Sequence, residues 1–296
     1  MQAAGARYIY HGSRTDSFRI WALADFHLGN AGCHEKLLTQ HVEEIRTDPF
    51  SYWVGVGDYA DYIGYRDRRF DPECIKSDML ISDLGRLGQV LTARVAETLD
   101  PIRDKCLGLA FGNHEARYMK EAEQQGLHAW LCTELGVPNL GYSFLMDVTF
   151  LRKNVPSKFG KVYAAAPDAR NTTSTFRLYG HHGAGASATP SGKTRRLQLF
   201  MEQHIADAYV IGHVHGKHTL TLTQVGGNRA CNELQDFNRM GIITGSYLKT
   251  YNEGTAAGYG EKAGYSPAPL GAAVIGYAPD KRELSVRTTA RLGDAR

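Results

Sequence analysis

The sequence of 296 residues has little of several features that would assign a protein class at once. Its five cysteines are odd in number and form no Cys-x-x-Cys pair, which argues against a disulfide framework and a zinc knot. No apolar run reaches the roughly 18 residues needed to cross a membrane, and residues 1–10 lack the apolar core of a signal peptide. We therefore expect a cytoplasmic protein with free, buried thiols and no membrane association.

An excess of charge of one sign is also missing, because the formal net charge is only +3. So mild a value does not by itself identify a nucleic-acid-binding protein. Hydrophobic residues make up 43% of the chain and charged residues 22%, which favours a folded protein with a buried core over a disordered one. No repeat or linker divides the sequence, so we expect a single domain over residues 1–296.

Short apolar runs alternate with helical patterns in the first half of the chain. The runs at 18–24, 52–56 and 106–111 are predicted strands, and each stops at polar residues. Between them, residues 35–46 and 75–99 have apolar side chains at helical spacing. This alternation predicts an α/β fold, in which ligands collect beyond the C-terminal ends of the strands.

The second half of the chain is richer in predicted strands. We expect them at 142–150, 176–180, 208–211, 219–225, 240–244, 272–277 and 284–288. One helix is expected at about 195–205. Residues 254–269 are rich in glycine, alanine, tyrosine and proline and predict a long loop, either a functional segment or a plain surface loop.

Five polar segments at the ends of apolar runs or beside glycine carry the main functional signal. They are Asp25-Phe26-His27, Gly57-Asp58, Gly112-Asn113-His114-Glu115, His181-His182-Gly183 and Gly212-His213-Val214-His215. Any one of them has an ordinary reading as a turn or as a satisfied histidine. Together, with oxygen and nitrogen ligands in each, they predict a site that holds two adjacent metal ions, a device for attack on phosphate esters.

In this order, the segments resemble those of the calcineurin-like metallophosphoesterase superfamily, from Asp25 to His215. The resemblance implies a four-layer α-β-β-α sandwich with a dinuclear metal site at the C-terminal ends of the strands. One metal would be held by Asp25, His27, Asp58 and His215, and the other by Asp58, Asn113, His182 and His213. Asp58 would bridge both metals, and His114 would be a catalytic acid instead of a ligand.

Mixed imidazole and carboxylate ligands favour two divalent transition metals, manganese first, with iron, zinc, cobalt or nickel as alternatives. In the mechanism that the resemblance implies, a hydroxide bridging the metals attacks phosphorus while His114 protonates the leaving oxygen. We expect Glu115 to orient His114 or, equally, to be a solvated or ion-paired carboxylate.

Two residues have both a substrate-binding and a structural interpretation. Arg117 lies one helical turn after Asn113 and is either a phosphate-binding residue or a solvated helix arginine. His182 is favoured over His181 as the metal ligand because the ligand in the resembled superfamily commonly precedes glycine. His181 then belongs to the substrate groove or packs against its neighbours.

An aromatic and basic stretch follows Asp58. It comprises Tyr59, Tyr62, Tyr65, Arg66, Arg68 and Arg69. Such residues suit a single-stranded nucleic acid or a nucleotide, because bases stack on aromatic rings while arginines contact phosphates. A solvated loop is the alternative interpretation.

Departures from other branches of the superfamily narrow the expected function. Asp61 stands where the purple acid phosphatase branch has tyrosine, so a ferric tyrosinate centre is not expected. The Gly-Asn-His-Glu-x-Arg run and Gly245-Ser246-Tyr247 look more like small bacterial and phage members. His27 and His114 match two histidines that diesterase members of the superfamily use, so the resemblance implies a phosphodiesterase or nuclease. The alternatives are a phosphomonoesterase acting on nucleotides or phosphoproteins and a non-catalytic scaffold, and the oligomeric state is not predicted.

Overall fold

The structure is a computed structural model that describes residues 1–288 except 123, 125, 167, 168, 186, 188 and 255. The strands are β1 (Gln2–His11), β2 (Phe18–Leu23), β3 (Ser51–Val56), β4 (Cys106–Ala110), β5 (Asn139–Gly141), β6 (Ser143–Arg152), β7 (Val162–Tyr163), β8 (Thr172–His181), β9 (Ala208–Ile211), β10 (His218–Gly227), β11 (Leu234–Ile243), β12 (Ala273–Ala278) and β13 (Glu283–Thr288). The α-helices are α1 (Glu35–Thr47), α2 (Leu87–Leu99), α3 (Asn113–Glu121), α4 (Leu127–Leu135), α5 (Pro190–Gln203) and α6 (Tyr259–Lys262).

The strands form two mixed sheets, and the predicted α/β class is confirmed. A six-stranded sheet has the order β13-β12-β2-β3-β4-β5, in which β2 to β5 run parallel and β12 and β13 are antiparallel additions. A seven-stranded sheet has the order β10-β11-β9-β8-β6-β1-β7. Within it, β8 and β9 run parallel to each other.

Three buried clusters hold the sheets and helices together. In β2 and β3, alternate residues face opposite sides of the sheet, as the pleat requires. Ile20 and Val54 lie in the cluster between the two sheets, whereas Trp21 and Trp53 lie in the cluster beneath α1, α2 and α4. A third cluster includes Leu197 of α5 and neighbouring side chains of the seven-stranded sheet. The packing therefore places helices on the outer face of each sheet.

Several elements differ from the sequence prediction. The second helix begins at Leu87 and not at residue 75, because the preceding residues form separate short turns and leave Leu80 and Ile81 exposed at 65% and 89%. The helix α5 begins five residues early, at Pro190, where the Thr189 side chain accepts a hydrogen bond from the Gly192 amide as an N-cap. The strand β1 and the helix α4 were not predicted from the sequence.

The five polar segments all lie at one edge of the two sheets. The parallel strands β2, β3 and β4 end just before Asp25, Asp58 and Asn113, respectively. The strand β8 ends at His181, and β9 ends just before Gly212. The predicted position of these segments, beyond the C-terminal ends of strands, is confirmed. None of the helices in the described part of the chain combines the length and apolar character that a membrane span needs.

Candidate metal centre

Three groups of histidine and aspartate side chains meet at this edge of the sheets. Within each group, one potential ligand atom per residue lies within 4.8 Å of the others. The groups are Asp25 with His27 and His215, His27 with Asp58 and His114, and Asp58 with His182 and His213. Because His27 and Asp58 each belong to two groups, the side chains form one continuous cluster.

Most of these residues have a backbone conformation that is uncommon outside glycine. The φ angles are 54° at Asp25, 52° at His27, 54° at Asp58, 67° at His213 and 45° at His215. Such left-handed positions cost free energy and tend to occur at functional sites, where the surrounding structure fixes them. Here, for example, the Asp25 carbonyl accepts hydrogen bonds from the Tyr247 amide at 2.9 Å and the Ser246 hydroxyl at 3.0 Å.

Asp25, His27 and His215 form what we term the outer half-site. The His27 Nδ1 atom donates to Asp61 Oδ1 at 3.1 Å, so the Nε2 atom of a neutral His27 carries a lone pair. This Nε2 lies 3.4 Å from His215 Nε2, which in turn lies 3.3 Å from Asp25 Oδ1. Two imidazole nitrogens and a carboxylate oxygen therefore converge on one point, as the ligands of a divalent metal do.

Asp58, Asn113, His182 and His213 form the inner half-site. The fully buried His182 donates from Nδ1 to the Val56 carbonyl at 2.7 Å, so its neutral form keeps a lone pair on Nε2. This Nε2 faces Asn113 Oδ1 at 3.0 Å and Asp58 Oδ2 at 3.2 Å. Three acceptors that face one another repel unless a proton or a cation lies between them. The residues present therefore fit a metal ion.

The electrostatics of the two half-sites differ. Burial alone would lower the pKa of His182, but the charges of Asp58 and Asp25 outweigh it and raise this pKa to about 9. Burial lowers the pKa of His27 below its ordinary value, despite the hydrogen bond to Asp61. In the metal-free protein, the inner half-site therefore attracts a proton at neutral pH, and a metal ion would replace that proton.

Two glycines allow the backbone and the ligands of the inner half-site to approach each other closely. A Cβ atom on Gly57, where φ is 98°, would lie 2.4 Å from the Gly112 amide nitrogen and 2.7 Å from His182 Nδ1. A Cβ atom on Gly112 would lie 2.1 Å from Asp58 Oδ1. Any larger residue at either position would push apart the ends of β3 and β4 and the ligands that follow them.

Asp61 positions two histidines at once, a role that the sequence analysis missed. Its carboxylate accepts hydrogen bonds from His27 Nδ1 and, at 3.1 Å, from Asn30 Nδ2. Its backbone carbonyl accepts a hydrogen bond from His114 Nδ1. The available signal was the position of Asp61, three residues after Asp58, which the sequence analysis used only to exclude an iron-binding tyrosine.

Glu115 has a different role from the one expected. It is buried, and its carboxylate accepts hydrogen bonds from the backbone amides of Gly112 at 2.8 Å, Asp58 at 3.0 Å and Tyr59 at 2.7 Å. Burial and the neighbouring Asp58 carboxylate raise the pKa of Glu115 to about 7. Glu115 therefore ties the loop that carries Asp58 to the start of α3 and does not contact the His114 ring through a hydrogen bond.

The sequence predicts Arg117 and Arg69 as candidate phosphate contacts, and in the structure both pair with Asp67. Arg117 is ion-paired through Nε with Asp67 at 3.3 Å and with Glu121 at 2.7 Å. The role of Arg117 in substrate binding stays a prediction. Arg69, which is also paired with Asp67, places Nη1 3.3 Å from His114 Nε2. Arg69 is therefore an arginine that directly adjoins the cluster.

His181 and His182 point to opposite sides of the chain, as neighbours in a strand do. His182 lies among the potential ligands, and His181 belongs to none of the three groups. The His181 ring packs 4.6 Å from Phe200 and 5.3 Å from Tyr142, measured between ring centroids. Burial lowers the pKa of His181 to about 4. The structure thus shows a packing position for His181, and its contact with substrate stays a prediction.

The proposed aromatic and basic stretch is not a continuous stacking surface. Tyr59 and Tyr62 are buried, and their hydroxyl groups bind the Ala110 carbonyl and Thr92 Oγ1, respectively. The two buried rings therefore do not form the exposed stacking surface that the sequence predicts. Tyr65 is exposed at 61%, but the short spacing of the three tyrosines in sequence does not place them on one face.

Comparisons with known proteins leave the identity of the chain open. No model of a protein family matches the sequence, and no curated protein matches it significantly. Among solved structures, the chain is similar to a single mutant of Vps29 from Entamoeba histolytica, with 12% sequence identity over 91% of this chain and 97% of that one. The TM-score of 0.33 is too low to assign a fold or a function.

Proposed function

We propose that the protein is a phosphoester hydrolase that uses two divalent metal ions and prefers diesters. The observation that carries the proposal is the membership of Asp58 in two of the three groups, which contain side chains from both half-sites. A carboxylate shared in this way suits two cations held side by side. The six histidine and aspartate residues proposed as ligands all belong to the three groups, and Asn113 Oδ1 lies 3.0 Å from His182 Nε2. This arrangement supports a metal centre over a scaffold that has lost its ligands.

Each half-site would hold one metal, manganese being our first candidate. Asp25, His27 and His215 would bind the outer metal, and Asn113, His182 and His213 would bind the inner one, with Asp58 shared. Two such cations supply positive charge for the phosphate oxygens and lower the pKa of a bound water towards neutrality. Asp61 and the Val56 carbonyl hold the His27 and His182 rings with Nε2 towards the cluster.

His114 is the candidate acid for the leaving oxygen. Its Nδ1 atom donates to the Asp61 carbonyl, which leaves Nε2 as the atom that exchanges a proton with the substrate. Burial would lower the pKa of His114, but the negative charges of Asp58 and Asp61 raise it above the ordinary value. Arg69 adjoins the same Nε2 and would add positive charge where a phosphate develops negative charge.

The preference for diesters rests on the presence of both His27 and His114, and the alternative is a phosphomonoesterase acting on nucleotides or phosphoproteins. The test is hydrolysis of bis-p-nitrophenyl phosphate and of p-nitrophenyl phosphate by the manganese-loaded protein. We expect faster cleavage of the diester. Faster cleavage of the monoester would favour the alternative, and cleavage of neither ester by the loaded protein would contradict the proposed activity.

A further inference from the structure

A cavity of about 260 Å³ lies beside the candidate metal centre. Asp61, Asn30 and Arg69 line the cavity at the side nearest the centre. The carboxylate of Asp61 binds the His27 ring, and the Arg69 guanidinium reaches His114 Nε2. The cavity thus shares two residues with the surroundings of the proposed acid and of one metal ligand.

The cavity has an extensive apolar wall. It is formed by Ile75, Met79 and Leu84 from the segment that precedes α2, and by Leu87 and Leu91 of α2 itself. The two leucines of α2 are buried, whereas Ile75, Met79 and Leu84 are only partly buried. An apolar group that entered the cavity would gain contacts with these aliphatic side chains and would be removed from water.

Flat side chains stand at other positions around the cavity. They are the rings of Tyr62, Phe70 and Tyr259 and the guanidinium groups of Arg68 and Arg69. Tyr259 is exposed at 64%, and Arg68 forms no ion pair with any residue that the structure describes. Rings and guanidinium groups of this kind stack on the faces of nucleobases.

The helix α6 contributes to the cavity from a distant part of the chain. Lys262 at its end donates to Asp71 Oδ2 at 2.6 Å, and both residues line the cavity. This exposed ion pair joins the segment that carries Tyr259 to the segment that carries Arg68. The predicted long loop at 254–269 therefore takes part in a built cavity, with residue 255 outside the described residues.

We propose that this cavity binds the nucleobase of a nucleotide-type phosphoester, an inference that rests on the proposed hydrolase activity. The volume is below the roughly 300–1,000 Å³ of pockets that enclose a whole drug-sized ligand, so the cavity would take one ring system. An aliphatic chain would use the apolar wall but gain little from the flat groups around it. A nucleobase uses both the apolar wall and the flat groups.

The first experiment compares two competitors that share a phosphate and a sugar. Adenosine 5′-monophosphate carries a base, and ribose 5-phosphate does not. We expect the nucleotide to inhibit hydrolysis of bis-p-nitrophenyl phosphate roughly 5- to 150-fold more strongly, because stacking of one base has about this effect on affinity. Calorimetric titration of both compounds into the protein gives the same comparison without relying on hydrolysis.

Matched variants connect this preference to the cavity. Arg68→Ala and Leu84→Trp change cavity residues, and each should reduce the ratio between the two affinities. Arg66→Ala and Ile81→Trp are the controls, because Arg66 and the 89% exposed Ile81 do not line the cavity, and the ratio should stay at its wild-type value. If Leu84→Trp does not fold, Arg68→Ala and Tyr259→Ala provide the test.

The possible outcomes separate the cavity from the hydrolase activity. Equal affinities for the two competitors in the wild-type protein would overturn the nucleobase inference while leaving hydrolysis of the chromogenic esters intact. The same conclusion would follow if the cavity variants and their controls kept the same ratio. Absence of hydrolysis with a preserved calorimetric preference for the nucleotide would instead contradict the proposed activity and support a nucleotide-binding cavity.

Discussion

The two half-sites orient the rings of His27 and His182 by different means. In the outer half-site, the His27 ring is held by the side chain of Asp61. In the inner half-site, the His182 ring is held by the backbone carbonyl of Val56. A side-chain partner can be removed by mutation, whereas a backbone carbonyl at the end of a central strand cannot. The outer half-site can therefore be adjusted by mutation, whereas the inner one is built into the sheet.

Burial does not separate the two half-sites, because each combines buried ligands with half-buried ones. His215 is half-buried in the outer half-site, and Asn113 and His213 are half-buried in the inner one. Close packing does separate them, because the inner half-site is the one in which the close approach of Gly57 and Gly112 leaves no room for change. We therefore expect the inner half-site to bind its metal more tightly and the outer half-site to respond more strongly to substitution.

The largest effect is expected where the half-sites meet. Asp58→Ala removes the carboxylate that both would share, so metal content and phosphoester hydrolysis should be lost together. Elemental analysis and a diesterase assay provide the two readouts, with circular dichroism to show that the variant is folded. The exposed Asp78→Ala serves as the control. A folded Asp58→Ala protein with full activity would rule out a shared carboxylate.

His114→Ala should separate catalysis from metal binding. Since His114 is proposed to transfer a proton and not to bind a metal, turnover should fall roughly 10²- to 10⁴-fold while both metals are retained. The measurements are steady-state rates at saturating diester and metal content of the same preparation. A parallel loss of metal and activity would instead identify His114 as a ligand, as its group with His27 and Asp58 allows geometrically.

Asp61→Asn should distinguish the outer half-site from the inner one. The asparagine keeps the backbone carbonyl that binds His114, but it removes the negative charge beside His27 Nδ1. Loss of such a partner typically weakens metal binding roughly 10- to 100-fold. We expect this weaker binding at the outer half-site and not at the inner one. A metal titration monitored by calorimetry should show one weakened and one unchanged site. Equal weakening of both sites would contradict the division into an outer and an inner half-site.

The smallest expected effect is the release of about one proton when the inner metal binds at pH 7. With a pKa of about 9, His182 is protonated in the metal-free protein and must lose its proton to become a ligand. Inner-site affinity should therefore rise with pH until the pH passes this pKa. His27, whose pKa is lowered, should release no proton when the outer metal binds. Calorimetry in buffers with different ionisation enthalpies measures the proton count, and zero release would show that His182 is neutral beforehand.

The parts of the site that sequence patterns predict are those set by local structure. An apolar run that stops at Asp25, Asp58 or Asn113 places a ligand at a strand end, and parallel pairing brings these ends together. The contacts of Asp61, Glu115 and Arg69 depend on how loops from different strands pack, and no spacing in the sequence encodes them. The same limit explains why Tyr59 and Tyr62, close to charged residues in sequence, are buried in the core.

The fold shows a similar division. Strongly apolar strands such as β2, β3 and β9 were predicted close to their observed bounds. The strand β1 was missed because its first half has small and polar residues, and its place in the sheet comes from pairing with β6 and β7. The first part of the predicted second helix rested partly on Leu80, whose apolar side chain is exposed and does not pack against the core.

The central claim is that the strand-end residues form one centre for two metals with Asp58 between them. The most direct test is the metal content of the purified protein after it is loaded with manganese and freed of excess ion, measured by elemental analysis against protein concentration. The account predicts two equivalents per chain in the wild-type protein and one tightly held equivalent in Asp61→Asn. No bound metal in a folded wild-type protein, or a single equivalent that Asp61→Asn abolishes, would contradict it.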